Sequence, residues 1–310
     1  MPLSLLLLIA AAPPPVVGGT PVLAGEWAPT ALVWAGPDPF CTGVLVARDV
    51  VLTAGHCVGG ATHVSTGLVD LDEVQERTRV VARSAHPSWL TTLDVAVLLL
   101  ESAVDGPVAA LGPTPSDGDD VHIVGWGATN AAGNAYPSTL MAAAATVWDA
   151  DCSEPDWGCM VAVQPGGELV AGGEGVDSCS GDSGGPLYSG TAEAPLLVAI
   201  TSRGIDTDGP NCGDGGIYVR ADAALAWAGE EAAVLRGADA IPQLVDTGDP
   251  DMRPPVGPLT GGAYTGGGGC GHGPGGGGLC VALLGLGLRA CRARRRSSRR
   301  PRTASWCSSG

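Results

Sequence analysis

Short apolar runs separated by polar turns fill most of the chain up to residue 220. Clusters of Gly, Pro, Asp and Ser separate these runs, which is the pattern of an all-β sandwich or barrel. Over residues 222–236 the pattern changes to Ala, Leu and Trp with flanking Glu, and it predicts one C-terminal helix. The strand-like runs are residues 42–52, 95–100, 121–124, 196–201 and 217–220. We therefore expect an all-β domain that ends in a helix.

The N-terminus has a different pattern from this domain. Residues 3–12 form an apolar run that ends in three alanines and is too short to span a bilayer. Such a run before small residues resembles a secretory signal, although no basic residue precedes it. A buried N-terminal strand is the alternative. We predict a leader over residues 1–15 and a folded domain over residues 16–240.

The C-terminal part of the chain is divided by composition. Residues 241–269 are rich in Pro and Gly and predict a flexible tether. Residues 270–310 form a tail with an apolar run at residues 279–288 and a cluster of Arg after it. The sequence therefore predicts one folded domain followed by a linker and a separate tail.

The charge of the chain limits its partners. Its 310 residues include 32 Asp and Glu, 16 Arg and no Lys. Eight Arg lie between residues 289 and 302, so the chain before them carries eight Arg against all 32 acidic residues, a formal charge of −24. Such a surface repels nucleic acid and anionic lipid, so we expect no nucleic-acid partner. The 45% of hydrophobic residues are enough for a sizeable core.

The ten cysteines indicate an oxidising compartment. They form no CxxC pair of the kind that binds metals, and their number is even, so we expect disulfides in an exported protein. Six lie in the predicted domain, namely Cys41, Cys57, Cys152, Cys159, Cys179 and Cys212. Four lie in the tail, namely Cys270, Cys280, Cys291 and Cys307.

Three short motifs in the domain carry residues suited to catalysis. His56 follows Thr-Ala-Gly, Asp94 heads an apolar run, and Ser183 lies in a Gly-Asp-Ser-Gly-Gly segment. Each motif alone has a structural explanation, as a His beside a Cys, a strand-capping Asp and a Gly-rich turn. Together, in the order His, Asp, Ser, they fit nucleophilic catalysis, because a serine hydroxyl needs a neighbouring base to become reactive.

These motifs resemble those of the trypsin/chymotrypsin family of serine proteases, and the resemblance covers about residues 16–236. It implies a fold of two six-stranded antiparallel β-barrels with the active site in the cleft between them. It also implies that Ser183 attacks the scissile carbonyl, His56 takes and returns the proton, and Asp94 orients the imidazole. The backbone N–H groups of Gly181 and Ser183 would form the oxyanion hole.

The same resemblance predicts a substrate preference. Asp177, six residues before Ser183, matches the base of the primary pocket, where a carboxylate attracts a substrate cation. We therefore expect cleavage after Arg or Lys, with a surface-turn Asp as the alternative. Arg203 stands where an aromatic residue usually lines the cleft. The other expected pocket residues are Ser178, Ser202, Gly204 and Gly216.

Maturation and disulfide pairing are also implied by the resemblance. Members of the family are cut before a sequence such as Val16-Val17-Gly18-Gly19, and the new terminal ammonium pairs with the residue that is Asp182 here. Three prolines precede Val16, which excludes activation by a trypsin-like cut. The expected disulfides are Cys41–Cys57, Cys179–Cys212 and Cys152–Cys159. Cys159 is expected to replace the usual partner of Cys152, because Val170 occupies that partner's position.

The tail resembles the tripartite C-terminal sorting tags of Gram-negative bacteria, particularly the MYXO-CTERM type. Cys270 is followed by a Gly-rich spacer, an apolar run and the Arg cluster. The resemblance implies transient membrane association through the tail and a place on the bacterial outer surface. A low-complexity extension without function is the alternative.

We therefore predict a secreted serine endopeptidase, made as a zymogen, that hydrolyses protein or peptide substrates through an acyl-enzyme and is a monomer. We expect no cofactor and no metal. An acidic segment falls near a loop where some relatives bind calcium, and its acids are Asp70, Asp72, Glu73 and Glu76. The alternative function is a catalytically inactive, protease-like domain for binding or adhesion at the cell surface.

Overall fold

The computed structural model describes residues 15–237, except residues 75, 155–156, 206–208 and 210. The leader up to residue 14, the tether and the tail lie outside the described residues. The described part begins with a turn, α1 (Pro15–Gly18), in which Val16 and Val17 have non-helical dihedral angles. A two-residue strand, β1 (Thr20–Pro21), follows.

The first half of the domain is a closed barrel of six antiparallel strands. The strands are β2 (Thr30–Ala35), β3 (Asp38–Ala47), β4 (Val50–Thr53), β5 (His63–Thr66), β6 (Thr78–Ala85) and β7 (Ala96–Leu100). Their hydrogen-bonded order is β2-β3-β4-β7-β6-β5, and pairing of β5 with β2 closes the ring. Short 3-10 turns follow β4 at Gly55–Cys57 and β5 at Leu71–Glu73.

The second half repeats this architecture. Its strands are β8 (Ala110–Leu111), β9 (Asp120–Gly125), β10 (Met141–Asp149), β11 (Glu168–Ala171), β12 (Pro186–Thr191), β13 (Ala194–Gly204) and β14 (Gly216–Arg220). Six of them close a ring in the order β9-β10-β11-β14-β13-β12, while β1 pairs with β10 and β8 runs parallel to β13. A 3-10 turn at Val161–Val163 precedes β11. The two six-stranded antiparallel barrels confirm the predicted fold class.

A core between the barrels explains why several strands lack polar residues. In β7, Leu98 and Leu100 belong to the apolar cluster of the first barrel, whereas Val97 and Leu99 belong to a larger cluster shared with the second barrel. Successive side chains of a strand point to opposite faces, so a strand buried on both faces reads as a continuous apolar run. The run at residues 95–100 is this kind of strand.

The C-terminal helix, α2 (Ala221–Leu235), packs on the same shared core. Ala224, Ala228 and Ala232 are fully buried, and their spacing of four places them on one face of the helix. The small side chains allow the helix to approach the strands closely. The structure thus contains the predicted helix, one residue earlier than expected at each end. No helix among the described residues is long and apolar enough to cross a membrane.

One predicted strand is wrong in its extent. The run at residues 42–52 is a hairpin, because β3 ends at Ala47 and β4 begins at Val50. Arg48 and Asp49 form the turn between them, and their charged side chains pair with Asp105 and Arg236 at the surface. Apolar residues on both sides conceal this two-residue turn in the sequence.

Candidate active site

His56 and Asp94 are brought together by the pairing of two neighbouring strands. The 3-10 turn that contains His56 directly follows β4, and Asp94 lies two residues before β7. Because β4 and β7 pair antiparallel, with Thr53 opposite Ala96, the end of one strand lies beside the start of the other. The register of the first barrel therefore places the imidazole beside the carboxylate.

The contact between them fixes the orientation of the imidazole. His56 Nδ1 lies 2.8 Å from Asp94 Oδ2, and the backbone N–H of His56 donates to Oδ1 at 3.1 Å. Ser202 Oγ also donates to Oδ2, at 2.8 Å. An ionised carboxylate only accepts hydrogen bonds, so the proton of the neutral ring is on Nδ1, which leaves Nε2 as an acceptor. The ring itself is partly exposed, with 36% of the side chain accessible.

The environment of Asp94 favours its ionised form. Burial raises the pKa of its carboxyl, but the hydrogen bonds and charge of His56 and the hydrogen bond from Ser202 outweigh that effect and lower the pKa overall. Asp94 therefore remains an anion beside the imidazole at neutral pH.

Ser183 lies in the loop before β12, and this loop packs against the first barrel. The carbonyl of Ser183 accepts the N–H of Thr42 at 3.0 Å and lies 3.8 Å from Cys57 Sγ, next to His56 in the chain. Gly184 has φ +79°, and a Cβ there would collide with Thr53 Oγ1 and Ala54 N. Among the described residues, no hydrogen bond joins the Ser183 hydroxyl to His56. The backbone contacts alone bring the two residues together.

The backbone amides of Gly181 and Ser183 have no acceptor among the residues that the structure describes. No hydrogen bond among the described residues uses the N–H of Gly181 or that of Ser183. Gly181 has φ +99°, and its carbonyl accepts the Thr42 hydroxyl at 2.9 Å, which holds the peptide in place. Two unused N–H groups two residues apart are suited to binding an anionic oxygen.

Asp177 is buried with one oxygen unpaired. Only 1% of the surface of Asp177 is exposed. Its Oδ2 accepts the N–H groups of Gly213 at 2.8 Å and Gly215 at 3.3 Å. Oδ1 is buried and has no hydrogen-bond partner among the described residues. Burial raises the pKa of Asp177 to about 6, against the lowering effect of the backbone N–H groups. Such a carboxylate lacks one partner, which a cationic ligand would supply.

The remaining pocket residues differ in what they contact. Gly204 and Gly216 are paired on β13 and β14. A Cβ on Gly216 would lie 2.9 Å from Ser178 Oγ, whereas one on Gly204 would meet no atom closer than 3.9 Å. Ser178 Oγ accepts the hydroxyl of Tyr218 at 3.2 Å. The Ser202 hydroxyl instead contacts Asp94, so this residue belongs to the hydrogen-bond network around His56.

Asp182 is a buried carboxylate whose hydrogen-bond donors, in the described part of the chain, are backbone amides. It is fully buried, and Gly127 N at 2.7 Å and Cys179 N at 2.9 Å donate to its two oxygens. Burial raises its pKa to about 7. No ion pair of Asp182 occurs among the described residues. Val16 is also fully buried. The backbone of Val17 forms an isolated antiparallel β-bridge with that of Asp177, so the N-terminal segment runs beside the same loop.

The three disulfides of the described domain stabilise the loops around these residues. They are Cys41–Cys57, Cys152–Cys159 and Cys179–Cys212. Cys41, His56 and Cys57 lie close enough to share a metal ion, but both sulfurs are disulfide-bonded and therefore are not thiolate ligands. In the acidic segment, Asp70 Oδ1 accepts the N–H of Asp72 and caps a 3-10 turn.

Glu168 is a residue near this site that the catalytic motifs of the sequence do not include. Its carboxylate is completely buried and forms two hydrogen bonds with the guanidinium of Arg203. A Glu at the start of the apolar strand β11, together with an unexpected Arg at position 203, is the signal that could have indicated this pair. The contact depends on the pairing of distant strands, which the sequence does not display.

Comparison with known proteins agrees with the fold. The family model described as Trypsin matches residues 16–228. Transmembrane protease serine 9 of Rattus norvegicus is 31% identical over 237 residues, which are 69% of this chain and 22% of that protein. Glucanase inhibitor protein 3 of Phytophthora infestans is 30% identical over 236 residues, which are 68% of this chain and 86% of that protein. This chain thus spans about a fifth of the length of the rat relative.

A solved structure shows the same architecture. Neuropsin, a serine protease expressed in the limbic system of mouse brain, superposes with a TM-score of 0.59 at 25% sequence identity. The match covers 69% of this chain and 98% of neuropsin. The chain therefore belongs to the trypsin family of serine proteases, and residues 16–228 match the family domain.

Proposed function

We propose that this protein is an exported serine endopeptidase that uses Ser183, His56 and Asp94 to hydrolyse peptide bonds. The observation that carries the proposal is the imidazole held at 2.8 Å by Asp94, with Nε2 left to accept a proton, on the loop that packs against Ser183. A serine hydroxyl becomes nucleophilic when such a base takes its proton. The family of the chain agrees with this chemistry.

The reaction would proceed in two symmetrical halves. Ser183 Oγ attacks the substrate carbonyl while His56 Nε2 takes its proton, and the carbonyl oxygen becomes an anion that the N–H groups of Gly181 and Ser183 bind. His56 then gives the proton to the leaving amine as the peptide bond breaks, which leaves an acyl-enzyme. In the second half His56 deprotonates a water molecule that attacks the ester, and it then returns the proton to Ser183 Oγ as the ester bond breaks, which releases the acid and the free serine. Asp94 stabilises the imidazolium in both halves.

The preference for Arg or Lys is the finer part of the proposal and rests on Asp177. Its unpaired, buried Oδ1 would accept a hydrogen bond from a substrate guanidinium or ammonium group. Gly204 leaves the nearby edge of β13 without a side chain that could obstruct a long substrate residue. A substrate without a cation would leave the carboxylate unpaired, which is unfavourable in a buried site.

This pocket predicts a pH-dependent affinity for cations. Burial raises the pKa of Asp177 to about 6 in the empty pocket, so the carboxyl is protonated below that pH and loses its attraction for a cation. We expect the dissociation constant of a small aromatic amidine such as benzamidine to rise about tenfold between about pH 7 and about pH 5. Calorimetric titration measures this directly. In Asp177→Ser, binding should be weak and nearly independent of pH over the same range.

Export is supported by the disulfides of the described domain. The described domain contains three disulfides, which persist in oxidising compartments. The leader and the sorting tail lie outside the described residues, so attachment to a bacterial outer surface rests on the sequence pattern alone. Cell fractionation with an antibody against the domain would locate the protein.

Maturation to a chain that begins at Val16 is a further expected result. Asp182 is buried and has no ion pair within the described ranges, and the new ammonium of Val16 would supply the missing cation and order the Gly181 peptide. The cut must follow Pro15, so we expect a processing enzyme that tolerates proline at this position. N-terminal sequencing of the active species tests this. An active protein that begins at Pro13 would show that its oxyanion site is ordered differently.

A fluorophosphonate probe provides the decisive test of the proposed function, because it reacts only with an activated serine. We expect the mature protein to be labelled on Ser183 and to hydrolyse a peptide amide after Arg, whereas Ser183→Ala remains unlabelled. A correctly folded protein that begins at Val16 and takes up no probe would instead support the inactive binding domain. The labelling experiment is informative because one relative, Glucanase inhibitor protein 3, is named as an inhibitor.

A further inference from the structure

An ion pair with a buried carboxylate and a partly exposed guanidinium is hydrogen-bonded to Asp94 through Ser202. Glu168 on β11 is completely buried, and Arg203 on β13 binds it with Nη1–Oε1 at 2.7 Å and Nη2–Oε2 at 3.1 Å. The N–H of Met160 donates to Glu168 Oε2 at 2.7 Å, and Arg203 Nη2 donates to the carbonyl of Gly158 at 3.1 Å. The pair therefore joins two strands to the loop closed by the Cys152–Cys159 disulfide.

A chain of hydrogen bonds connects this pair to His56. Arg203 Nη1 donates to Ser202 Oγ at 3.1 Å, and Ser202 Oγ lies 2.8 Å from Asp94 Oδ2. Asp94 Oδ2 in turn accepts from His56 Nδ1 at 2.8 Å. Ser202 is 3% exposed, so water has little access to its hydroxyl. These contacts form a continuous hydrogen-bond chain from Glu168 to His56.

The donor and acceptor roles of these groups allow only one direction for the hydrogen bonds between Arg203 and Asp94. A guanidinium only donates hydrogen bonds, so Ser202 Oγ must accept from Arg203. The single proton of the hydroxyl is then directed to Asp94, which as a carboxylate only accepts. Without Arg203, the hydroxyl could rotate and donate elsewhere. The guanidinium thus directs the hydroxyl proton of Ser202 toward Asp94 Oδ2, the oxygen that also accepts from His56 Nδ1.

The cost of the pair suggests a role other than stability. Taking the Glu168 carboxylate out of water is unfavourable, and replacing a buried ion pair by well-packed hydrophobic residues of similar volume is often neutral or stabilising. We propose that Arg203 and Glu168 are positioning residues, which hold Ser202 against Asp94 and thereby hold His56 in its reactive orientation. Glu168 keeps the guanidinium in place, and Arg203 orients the hydroxyl. This inference rests on the proposed function, because it assigns the pair to the same hydrolytic site.

The test removes both charges together, so that no buried charge is left unpaired. In Arg203→Met with Glu168→Gln, the amide oxygen of Gln still accepts the N–H of Met160. We expect the melting temperature to stay close to that of the parent. We expect kcat on an Arg peptide amide to fall about tenfold, the size of one ordinary hydrogen bond, with KM changed less than about twofold.

The same two changes, made in a Ser202→Ala background, distinguish positioning through the Ser202 hydroxyl from general damage to the site. If the pair acts through the hydroxyl, then Ser202→Ala alone should lower kcat to a similar extent, and adding the two changes should lower it no further. Arg236→Met is the control for the loss of an ion-paired arginine, because Arg236 binds both oxygens of Asp49 but has no hydrogen bond to Ser202. Its kcat should equal that of the parent.

A proton NMR signal tests the inference without turnover. The Nδ1 proton of His56 should give a sharp downfield signal in the parent and in Arg236→Met, and a broadened one in the double variant. A double variant with parental kcat and an unchanged signal would overturn the inference, as would a full additional loss of kcat in the Ser202→Ala background. An inactive parent would overturn the proposed function instead, and the NMR comparison would still decide whether the pair orients His56.

Discussion

Replacing Ser183 with Ala is expected to lower kcat for peptide amide hydrolysis by roughly five to six orders of magnitude. The change removes the hydroxyl that His56 would activate as the nucleophile, so water would have to attack the amide directly. Residual activity would come from the amides of Gly181 and Ser183, which still bind the oxyanion. The fold should not change, because the contacts of Ser183 with the first barrel are made by its carbonyl.

Ser180→Ala is the matched control for this experiment. Ser180 is an exposed serine three residues earlier in the same loop, so the two variants differ only in which hydroxyl is lost. Single-turnover kinetics with an Arg peptide amide, together with the melting temperature of each variant, measures the effect. Parental turnover in Ser183→Ala would refute the assignment, and a large loss in Ser180→Ala would show that the loop rather than the hydroxyl is responsible.

The second large effect is expected in Asp177→Ser. We expect kcat/KM for Arg peptide substrates to fall by about 10⁴-fold, because a buried substrate cation would then have no anionic partner. The value for Phe or Leu substrates should change little or rise, because the cost of leaving Asp177 Oδ1 unpaired beneath an apolar residue disappears. The preference for Arg over Phe should therefore be largely lost.

Glu174→Gln is the control for charge in this region. Glu174 is an exposed acid three residues before Asp177, and the structure assigns it no contact with the unpaired oxygen of that residue. Its preference for Arg over Phe should match that of the parent. Equal cleavage after Arg and Phe by the parent protein would contradict the proposed pocket before any variant is made.

The strands that were predicted from the sequence are those with strong local signals. The runs that became β7, β9, β13 and β14 are apolar stretches bounded by turn residues. β10 was missed because four consecutive alanines have little preference for strands, although its burial alternates along its length. β2 was not predicted, although its apolar run is bounded by Pro29 and Gly36 and carries the same kind of local signal. β5 and β6 are mixed in polarity, so their residues carry little local signal.

The sequence by itself determined the chemical inventory of this protein. His56, Asp94, Ser183 and Asp177 are identifiable because each lies in a short motif, and residues close in the chain are sufficient to display it. The family and the fold of two barrels follow from the same motifs. Local patterns are readable in this way because turns, caps and strand periodicity depend on near neighbours.

Only the tertiary structure decided how these residues are connected. The register of β4 and β7 places Asp94 beside His56, and packing of the Ser183 loop on Thr42 brings in the third residue. The pairing of Glu168 with Arg203 joins residues 35 positions apart in the chain, each of which alone looks like a surface charge. Burial, unpaired oxygens and shifted pKa values arise from contacts between distant segments, and these contacts exist only after both barrels have closed.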